Sequence, residues 1–323
     1  MKVLVATEKA FAPVAVNQIK LVTEAAGYEL ALLENYKNNS DLIRSVVDVD
    51  ALIVRSDLIT AEVLDAAKKL KIVVRAGAGY ENINLAASTA HNVIVMNTPG
   101  QNANAVAELA FALMLCLARG GFNGKSGTEL RRKSLGIHAF GNVGKHVAEI
   151  ARGFGMDVYT FDPFVVEKDI KKYFVKVCNT TEELYSKCQY VSLHMPSNEK
   201  TNKSIGYDLL KKMPKNAVLV NTARKEVIDE EALLKIFEER PDFRYLADVA
   251  PDCKATFEEK YKGRFIFTEM KMGANTEEAN LYACLAAARQ IVDYFKTGNE
   301  KYRVNKKYLI CYDIWLFLNL SGG

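Results

Sequence analysis

A glycine-containing turn followed by an acidic residue is the first feature of this sequence that could do chemistry. Gly141-Asn142-Val143-Gly144 follows the apolar run 134–139, and apolar residues then recur at helical spacing. A second apolar run, 158–161, ends on Asp162, 18 residues after Gly144. Strand, turn, helix and strand in this order, with an acid at the far end, is the pattern of a dinucleotide site.

The residue types of this turn each have a chemical reason. Gly141 lets the backbone approach a pyrophosphate, Gly144 lets the helix pack closely on the strand, and the helix N-terminus offers free N–H groups to phosphates. Asp162 can accept from both ribose hydroxyls and would repel a 2′-phosphate, so NAD is favoured over NADP. Ala139 stands where the fingerprint has its first glycine. A purely structural helix after such a turn is the alternative.

A second set of polar residues lies at the ends of predicted strands nearer the N-terminus. Arg55 and Ser56 follow one apolar run, and Arg75 and Gly77 end the next. Ligands of parallel sheets collect at the carboxyl ends of strands, so two arginines there predict an anion pocket. The alternative is that each arginine pairs with a surface acid.

Apolar runs typical of strands alternate with segments at helical spacing along most of the chain. We predict strands at Lys2–Thr7, 51–55, Ile72–Arg75 and 93–96, a long helix over 104–118 after the turn at 97–100, and a last helix over 276–296. This alternation predicts an α/β fold of two doubly wound parallel-sheet domains with the site in a cleft between them. We expect residues 1–99 with 280–305 to form the flavodoxin-like substrate-binding domain and residues 100–279 to form the Rossmann-type NAD-binding domain.

Composition narrows the functional classes. The chain has 323 residues, 49% hydrophobic and 25% charged, with a formal net charge of +4. This mild charge, without a basic stripe, argues against nucleic acid as the main ligand, and no run of about 18 apolar residues exists to span a membrane. The six cysteines and four histidines show no metal-ligand spacing, so we expect no metal site and a reducing, cytoplasmic location.

Several further motifs resemble one enzyme family. They are RAGAGYENIN at 75–84, NTPGQN at 97–102, VAE at 106–108, LHMP at 193–196, NTAR at 221–224 and GANTEEA at 273–279. In order and spacing they are similar to the D-2-hydroxyacid dehydrogenases over residues 1–305. VRS at 54–56, RAGAGYEN at 75–82 and VMNTPG at 95–100 are most similar to the members that oxidise D-3-phosphoglycerate to 3-phosphohydroxypyruvate in serine biosynthesis. The short segment 120–127 and the lack of a C-terminal regulatory domain imply a compact form.

The resemblance also implies which residues carry the chemistry. The family uses an arginine, a histidine and a carboxylate, and Arg224 matches the arginine. Lys271 occupies the histidine position, while counting from Asp248 puts Cys253, beside Asp252, at the carboxylate position. We hypothesise that Lys271 is the general acid/base, Arg224 the electrophile and Asp252 a partner.

A lysine base near neutrality needs a pKa below its reference of about 10.4, which burial and Arg224 would supply. The alternative is that Lys271 is a solvated lysine and that catalysis has been lost.

The remaining site residues follow from the same matching. Asn142 and Val143 are expected to donate backbone N–H groups to the pyrophosphate. The other residues implied on the cofactor side are His194, Pro196, Thr222, Ala223, Asp248 (accepting from the carboxamide) and Gly273. Asn102 is the implied entry to the long helix and joins Arg55, Ser56, Arg75 and Gly77 as a substrate-side residue.

Three functions remain open at this level. The first is an NAD-dependent dehydrogenase for D-3-phosphoglycerate, whose phosphate Arg55 and Arg75 would hold. The second is a hydroxypyruvate or glyoxylate reductase of the same family. The third is a non-catalytic NAD(H)-sensing protein, which the missing histidine favours. The family implies a homodimer, and the apolar stretch 306–323 is a tail of unassigned role.

Overall fold

The computed structural model describes residues 1–305, so the prediction for the tail at 306–323 lies outside the described residues. The chain divides into two compact units. The first consists of Met1–Gln101 and the described residues from Asn280 onward, and the second is Asn102–Ala279. Within residues 1–305, no helix is both long and apolar enough to cross a membrane. The roles assigned to the two units from the sequence, and the cleft between them, stay predictions.

Strands and helices alternate in both units. The strands are β1 (Lys2–Thr7), β2 (Glu29–Glu34), β3 (Ala51–Val54), β4 (Ile72–Arg75), β5 (Ile94–Asn97), β6 (Ser134–His138), β7 (Asp157–Phe161), β8 (Lys176–Val177), β9 (Tyr190–Leu193), β10 (Val218–Asn221), β11 (Arg244–Ala247) and β12 (Phe265–Phe267). The helices are α1 (Pro13–Ala25), α2 (Asn39–Ser45), α3 (Ala61–Ala66), α4 (Leu85–Ala90), α5 (Ala103–Ala118), α6 (Asn142–Gly153), α7 (Glu167–Lys171), α8 (Thr181–Lys187), α9 (Tyr207–Lys212), α10 (Glu230–Glu239), α11 (Lys254–Lys260) and α12 (Glu277–Thr297).

The first unit is built on a five-stranded parallel sheet in the order β2-β1-β3-β4-β5. This is the flavodoxin-like order. Both faces of the sheet are covered, so its central strands read as continuous apolar runs rather than as alternating ones. Along β1, for example, Val3 and Val5 pack in one core cluster and Leu4 and Ala6 in another.

The second unit contains a seven-stranded parallel sheet in the order β12-β11-β10-β9-β6-β7-β8. Counted within the unit, this is the 3-2-1-4-5-6 order of the Rossmann fold with one strand added at the β12 edge. The strand order reverses beside β6, where dinucleotides bind in such sheets. The predicted fold class, two doubly wound parallel-sheet domains, is therefore confirmed.

Two histidines lie side by side at the carboxyl end of the second sheet. His138 ends β6 and His194 follows β9, and the backbone N–H of His194 donates to the His138 carbonyl over 3.0 Å. The ring of His138 lies edge-on against Phe161 and Tyr185. Burial lowers the pKa of His138 to about 4 and that of His194 to about 3. Both imidazoles are therefore neutral at physiological pH.

The lowered pKa values of these two histidines predict a loss of stability in mild acid. Below pH 6.5 the unfolded chain takes up protons that the folded chain does not bind, so stability falls as pH drops from 7 towards 5. We expect a loss of about 2 kcal/mol per histidine over this range, from the linkage relation. Urea denaturation at pH 7 and pH 5 measures it.

A His138→Gln variant should lose about half of this pH dependence. The control is His146→Gln, because the side chain of His146 in α6 is 40% exposed and pairs with Glu149. Equal pH dependence in the wild-type protein and His138→Gln would contradict the account.

Candidate active site

The turn between β6 and α6 has the geometry of a phosphate-binding turn. Ala139 adopts a left-handed backbone with φ +78°, which is the conformation that explains a glycine at the first fingerprint position. Gly141 is the N-cap of α6, and a Cβ added there would meet no atom within 4 Å, so its outer face is open. A Cβ on Gly144 would lie 2.5 Å from the Ala139 carbonyl oxygen. Gly144 is therefore required for close packing of helix and strand.

Asp162 accepts hydrogen bonds from three backbone N–H groups, a role that the sequence did not predict. Its carboxylate accepts from the backbone N–H of Phe140 at 2.7 Å, on the glycine turn, and from Phe164 at 2.8 Å and Val165 at 3.2 Å, on its own loop. Asp162 thus ties the end of β7 to the turn before α6. Its contact with a ribose stays a prediction.

Two buried polar atoms near the same strand ends have no partner within the described part of the chain. They are Oγ1 of Thr222, which follows β10, and Nε2 of His194, which follows β9. Buried polar groups are almost always hydrogen-bonded, so these two atoms can accept or donate a bond to a bound molecule. Together with the open face of Gly141 and the free N–H groups of α6, they fit a dinucleotide. Pro196 is exposed, and Ala223 lies half-buried beside Thr222.

Arg224 lies on a turn that Asn221 organises. The buried Asn221 side chain donates from Nδ2 to the Arg224 carbonyl at 2.9 Å and accepts from the Ala223 N–H at 3.0 Å. Arg224 itself donates from Nη1 to the Ala223 carbonyl at 3.0 Å. The sequence analysis missed this role of Asn221, although its position at the start of the NTAR motif marked the turn.

Asp248 holds the segment that carries Lys271. The carboxylate is 2% exposed, and its two oxygens accept from the backbone N–H groups of Met272 at 2.7 Å and Gly273 at 2.9 Å. A Cβ on Gly273 would lie 2.8 Å from Oδ2 of Asp248 and 3.2 Å from Val106, so only glycine fits here. The resemblance implied a contact with the cofactor carboxamide, which stays a prediction, whereas the observed bonds position the backbone beside Lys271.

One expectation about the acid/base pair needs correction. Lys271 is exposed, so the burial expected to lower its pKa is absent. Asp252 forms an ion pair with Lys225 and has a 78% exposed side chain, and its pairing with Lys271 stays a prediction. Glu230, at the start of α10, accepts from the N–H groups of Asp252 and Cys253 and sets the direction of this loop.

The first unit brings its predicted residues together. Val54 and Arg75 are paired in the register of β3 and β4, so Arg55 and Arg75 lie at neighbouring strand ends. The Arg75 guanidinium covers Gly77, because a Cβ there would lie 1.4 Å from Nη1 of Arg75, and Gly77 has φ +150°. Arg55 is half-buried and Ser56 exposed. Asn102 belongs to the second unit, where it precedes α5.

Comparisons with known proteins agree with this geometry. Residues 116–261 match the profile described as D-isomer specific 2-hydroxyacid dehydrogenase, NAD binding domain. The chain is 37% identical over 219 residues to a hydroxypyruvate reductase of Thermotoga maritima, covering 64% of this chain and 70% of that protein. It is 47% identical to the NAD⁺-bound 3-phosphoglycerate dehydrogenase structure from Entamoeba histolytica, with a TM-score of 0.84 over 95% of this chain and 99% of that one.

The chain belongs to the D-2-hydroxyacid dehydrogenase family. It carries the NAD-binding domain of that family, and the resemblance inferred from the motifs is confirmed. The chain is also 32% identical over 293 residues to a D-3-phosphoglycerate dehydrogenase of Methanocaldococcus jannaschii, covering 86% of this chain and 55% of that protein. It thus spans about half the length of the curated phosphoglycerate dehydrogenases that it matches.

The left-handed Ala139 gives a stability prediction. The left-handed backbone destabilises the folded state by about 1 kcal/mol or more for a residue with a Cβ. A glycine removes that strain, but its greater freedom stabilises the unfolded state by up to about 1 kcal/mol. We expect Ala139→Gly to leave the free energy of unfolding unchanged or to raise it by up to about 1 kcal/mol. The matched control Ala148→Gly, in the interior of α6, should lower it by about 1 kcal/mol. Urea denaturation of both variants measures this, and a comparable loss at both positions would contradict the account.

Proposed function

We propose that this chain is an NAD-dependent dehydrogenase that oxidises D-3-phosphoglycerate to 3-phosphohydroxypyruvate and catalyses the reverse reaction, the first step of serine biosynthesis. The observation that carries the proposal is the pair of arginines, Arg55 and Arg75, at neighbouring strand ends of the first unit. Guanidinium groups at strand ends suit a phosphate, because each can donate several charge-assisted hydrogen bonds. The 47% identity to the Entamoeba histolytica enzyme supports the same substrate.

The second unit would hold the cofactor. In this proposal the free N–H groups of Asn142 and Val143 bind the pyrophosphate, Asp162 accepts from the adenosine ribose, and Thr222 and His194 use their unpartnered atoms on the nicotinamide side. Bound NAD would accept the hydride that leaves C2 of the hydroxyacid. Burial lowers the pKa of His194 to about 3, which makes its imidazole a weak base near neutrality, so the proposal places His194 beside the cofactor and assigns proton transfer to another residue.

The transfer of the substrate's hydroxyl proton is assigned to Lys271. During oxidation the Lys271 amine takes the hydroxyl proton as the C2–H bond breaks, and during reduction the ammonium returns that proton to the carbonyl oxygen. Arg224 pairs with the substrate carboxylate and polarises the C2 oxygen. Asp248 supports this step by holding the backbone of Met272 and Gly273, next to Lys271.

A second candidate is reduction of an unphosphorylated 2-oxoacid. The likeness to a hydroxypyruvate reductase favours it. In that case Arg55 and Arg75 would bind the substrate carboxylate or would not contact the substrate. The exposure of Lys271 favours a third candidate, an NAD(H)-sensing protein without turnover.

Assembly and location are proposed on the family resemblance and the cysteines. We propose a homodimer that acts on a small molecule. We also propose a cytoplasmic location, because the five cysteines in the described part of the chain are free thiols, as in a reducing compartment.

Replacing Lys271 tests the proton-transfer assignment. Lys271→Met should lower kcat for oxidation of NADH with 3-phosphohydroxypyruvate by about 10²- to 10⁴-fold, the range of a lost general acid. NADH binding, followed by fluorescence, should be unchanged, and the wild-type pH profile should lack a limb near 6.5, the reference value of histidine. The control is Lys262→Met, at an exposed lysine after α11. Near-normal turnover of Lys271→Met would exclude this role.

Replacing Arg55 separates the candidate substrates. Arg55→Ala should raise KM for 3-phosphohydroxypyruvate by about 10- to 150-fold, since a hydrogen bond to a charged group contributes about 1.5–3 kcal/mol. Hydroxypyruvate and glyoxylate lack the phosphate, so their turnover should change little. Arg44→Ala, at an exposed arginine paired with Asp41 in the same unit, is the control. Wild-type turnover of the unphosphorylated acids alone would select the second candidate, and NADH binding without any turnover the third.

A further inference from the structure

Asp57 is a buried carboxylate beside the proposed phosphate-binding residues. It is 2% exposed and follows Arg55 and Ser56 directly. Its Oδ1 accepts from the backbone N–H of Glu8 at 2.8 Å and from the Tyr36 hydroxyl at 2.7 Å, and its Oδ2 accepts from the N–H of Arg55 at 3.1 Å. A buried carboxylate without a hydrogen-bonded partner would be costly, and here three neutral donors offset that cost.

The donors come from loops at the same edge of the sheet. Glu8 follows β1, Tyr36 follows β2, and Arg55 follows β3. The loop after β4 joins them, because Nδ2 of Asn82 donates to the Asp57 carbonyl at 2.7 Å. Since β2, β1, β3 and β4 are neighbours in the sheet, one residue connects four adjacent loops.

These bonds determine the path of the Arg55–Ser56 turn. The pairing of β3 with β4 ends at Val54, so the N–H of Arg55 lies beyond the last paired residue of β3. This N–H donates to the carboxylate of Asp57 instead of to a neighbouring strand. Both carboxylate oxygens are engaged by protein donors, which leaves Asp57 suited to act on a ligand through Arg55 rather than by contact. Burial raises the pKa of Cys284 in α12 to about 12, and the charge of Arg55 opposes that rise.

We propose that Asp57, with the Tyr36 hydroxyl, is a positioning residue that holds Arg55 and Ser56 for binding the phosphate of the substrate. This inference rests on the proposed function, because it takes Arg55 as a phosphate ligand. The substrate class that it selects is a 2-hydroxyacid or 2-oxoacid carrying a phosphate. A residue that only stabilised the fold would affect all substrates and NADH alike.

The test uses the full chain and two substitutions that keep side-chain size. Asp57→Asn replaces one acceptor oxygen with an NH₂ group, which faces an N–H or O–H donor and cannot accept its hydrogen bond. It should raise KM for 3-phosphohydroxypyruvate by about tenfold, the effect of one charge-assisted hydrogen bond. Tyr36→Phe removes one donor and should raise it about threefold. KM for NADH and kcat should stay within twofold, and isothermal titration with D-3-phosphoglycerate should show the same weakening without turnover.

The matched control is Tyr28→Phe. Tyr28 lies in the same unit with its ring edge-on against Phe295 at 5.9 Å, and its hydroxyl has no hydrogen bond to another described residue. This variant should bind and turn over the substrate as the wild-type protein does.

A combined variant separates positioning from general stability. If Asp57 acts through Arg55, Asp57→Asn should add less than twofold to the KM of Arg55→Ala, because the residue being positioned is already absent. Multiplicative effects, or unchanged phosphate affinity in Asp57→Asn, would overturn the inference while leaving the proposed function intact. A wild-type protein that neither binds nor turns over the phosphorylated acid would overturn both, and that outcome is visible before any variant is made.

Discussion

Backbone N–H groups at the carboxyl ends of parallel strands need acceptors, and in this protein buried or half-buried carboxylates supply them. The strand ladder ends where the loops begin, so the first N–H groups of each loop have no neighbour strand to bond. Asp57 accepts from loops of the first sheet, Asp162 from the turn before α6, and Asp248 from the segment after β12. The phosphate-binding, cofactor-binding and proton-transfer roles proposed for these loops each depend on a loop whose backbone is held in this way.

The same constraint explains why these carboxylates are structural in their observed contacts. A carboxylate that accepts two or three N–H bonds is well satisfied without a cation, and the loop it binds loses conformational freedom. Asp162 shapes the glycine turn, Asp57 the turn with Arg55, and Asp248 the backbone next to Lys271. The charged groups proposed to meet the substrate can then remain accessible while their backbone is rigid.

The positions of the histidines and of Lys271 give the site an unusual division of roles. His138 ends β6 and His194 follows β9, and burial lowers their pKa values to about 4 and 3 because it disfavours the charged forms. The neutral ring of His138 packs against Phe161 and Tyr185, whereas Nε2 of His194 has no partner among the described residues. Lys271, in contrast, is exposed on a loop that Asp248 organises. In the proposed mechanism, proton transfer is assigned to Lys271, which lies outside the packed sheet.

The sequence by itself determined the fold class, most central strands and the dinucleotide turn, because these depend on local periodicity and on short motifs. It did not predict β2, whose residues Glu29–Glu34 read ELALLE, a composition that suits a helix equally well. Pairing with β1 along all six residues makes it a strand. The tertiary structure alone decided the roles of Asp57 and Asp248. Asp57 bonds to Glu8 and Tyr36, which lie 49 and 21 positions away in the chain, and Asp248 bonds to Gly273, which lies 25 positions away. Hydrogen bonds over such separations leave no periodic signal in a sequence.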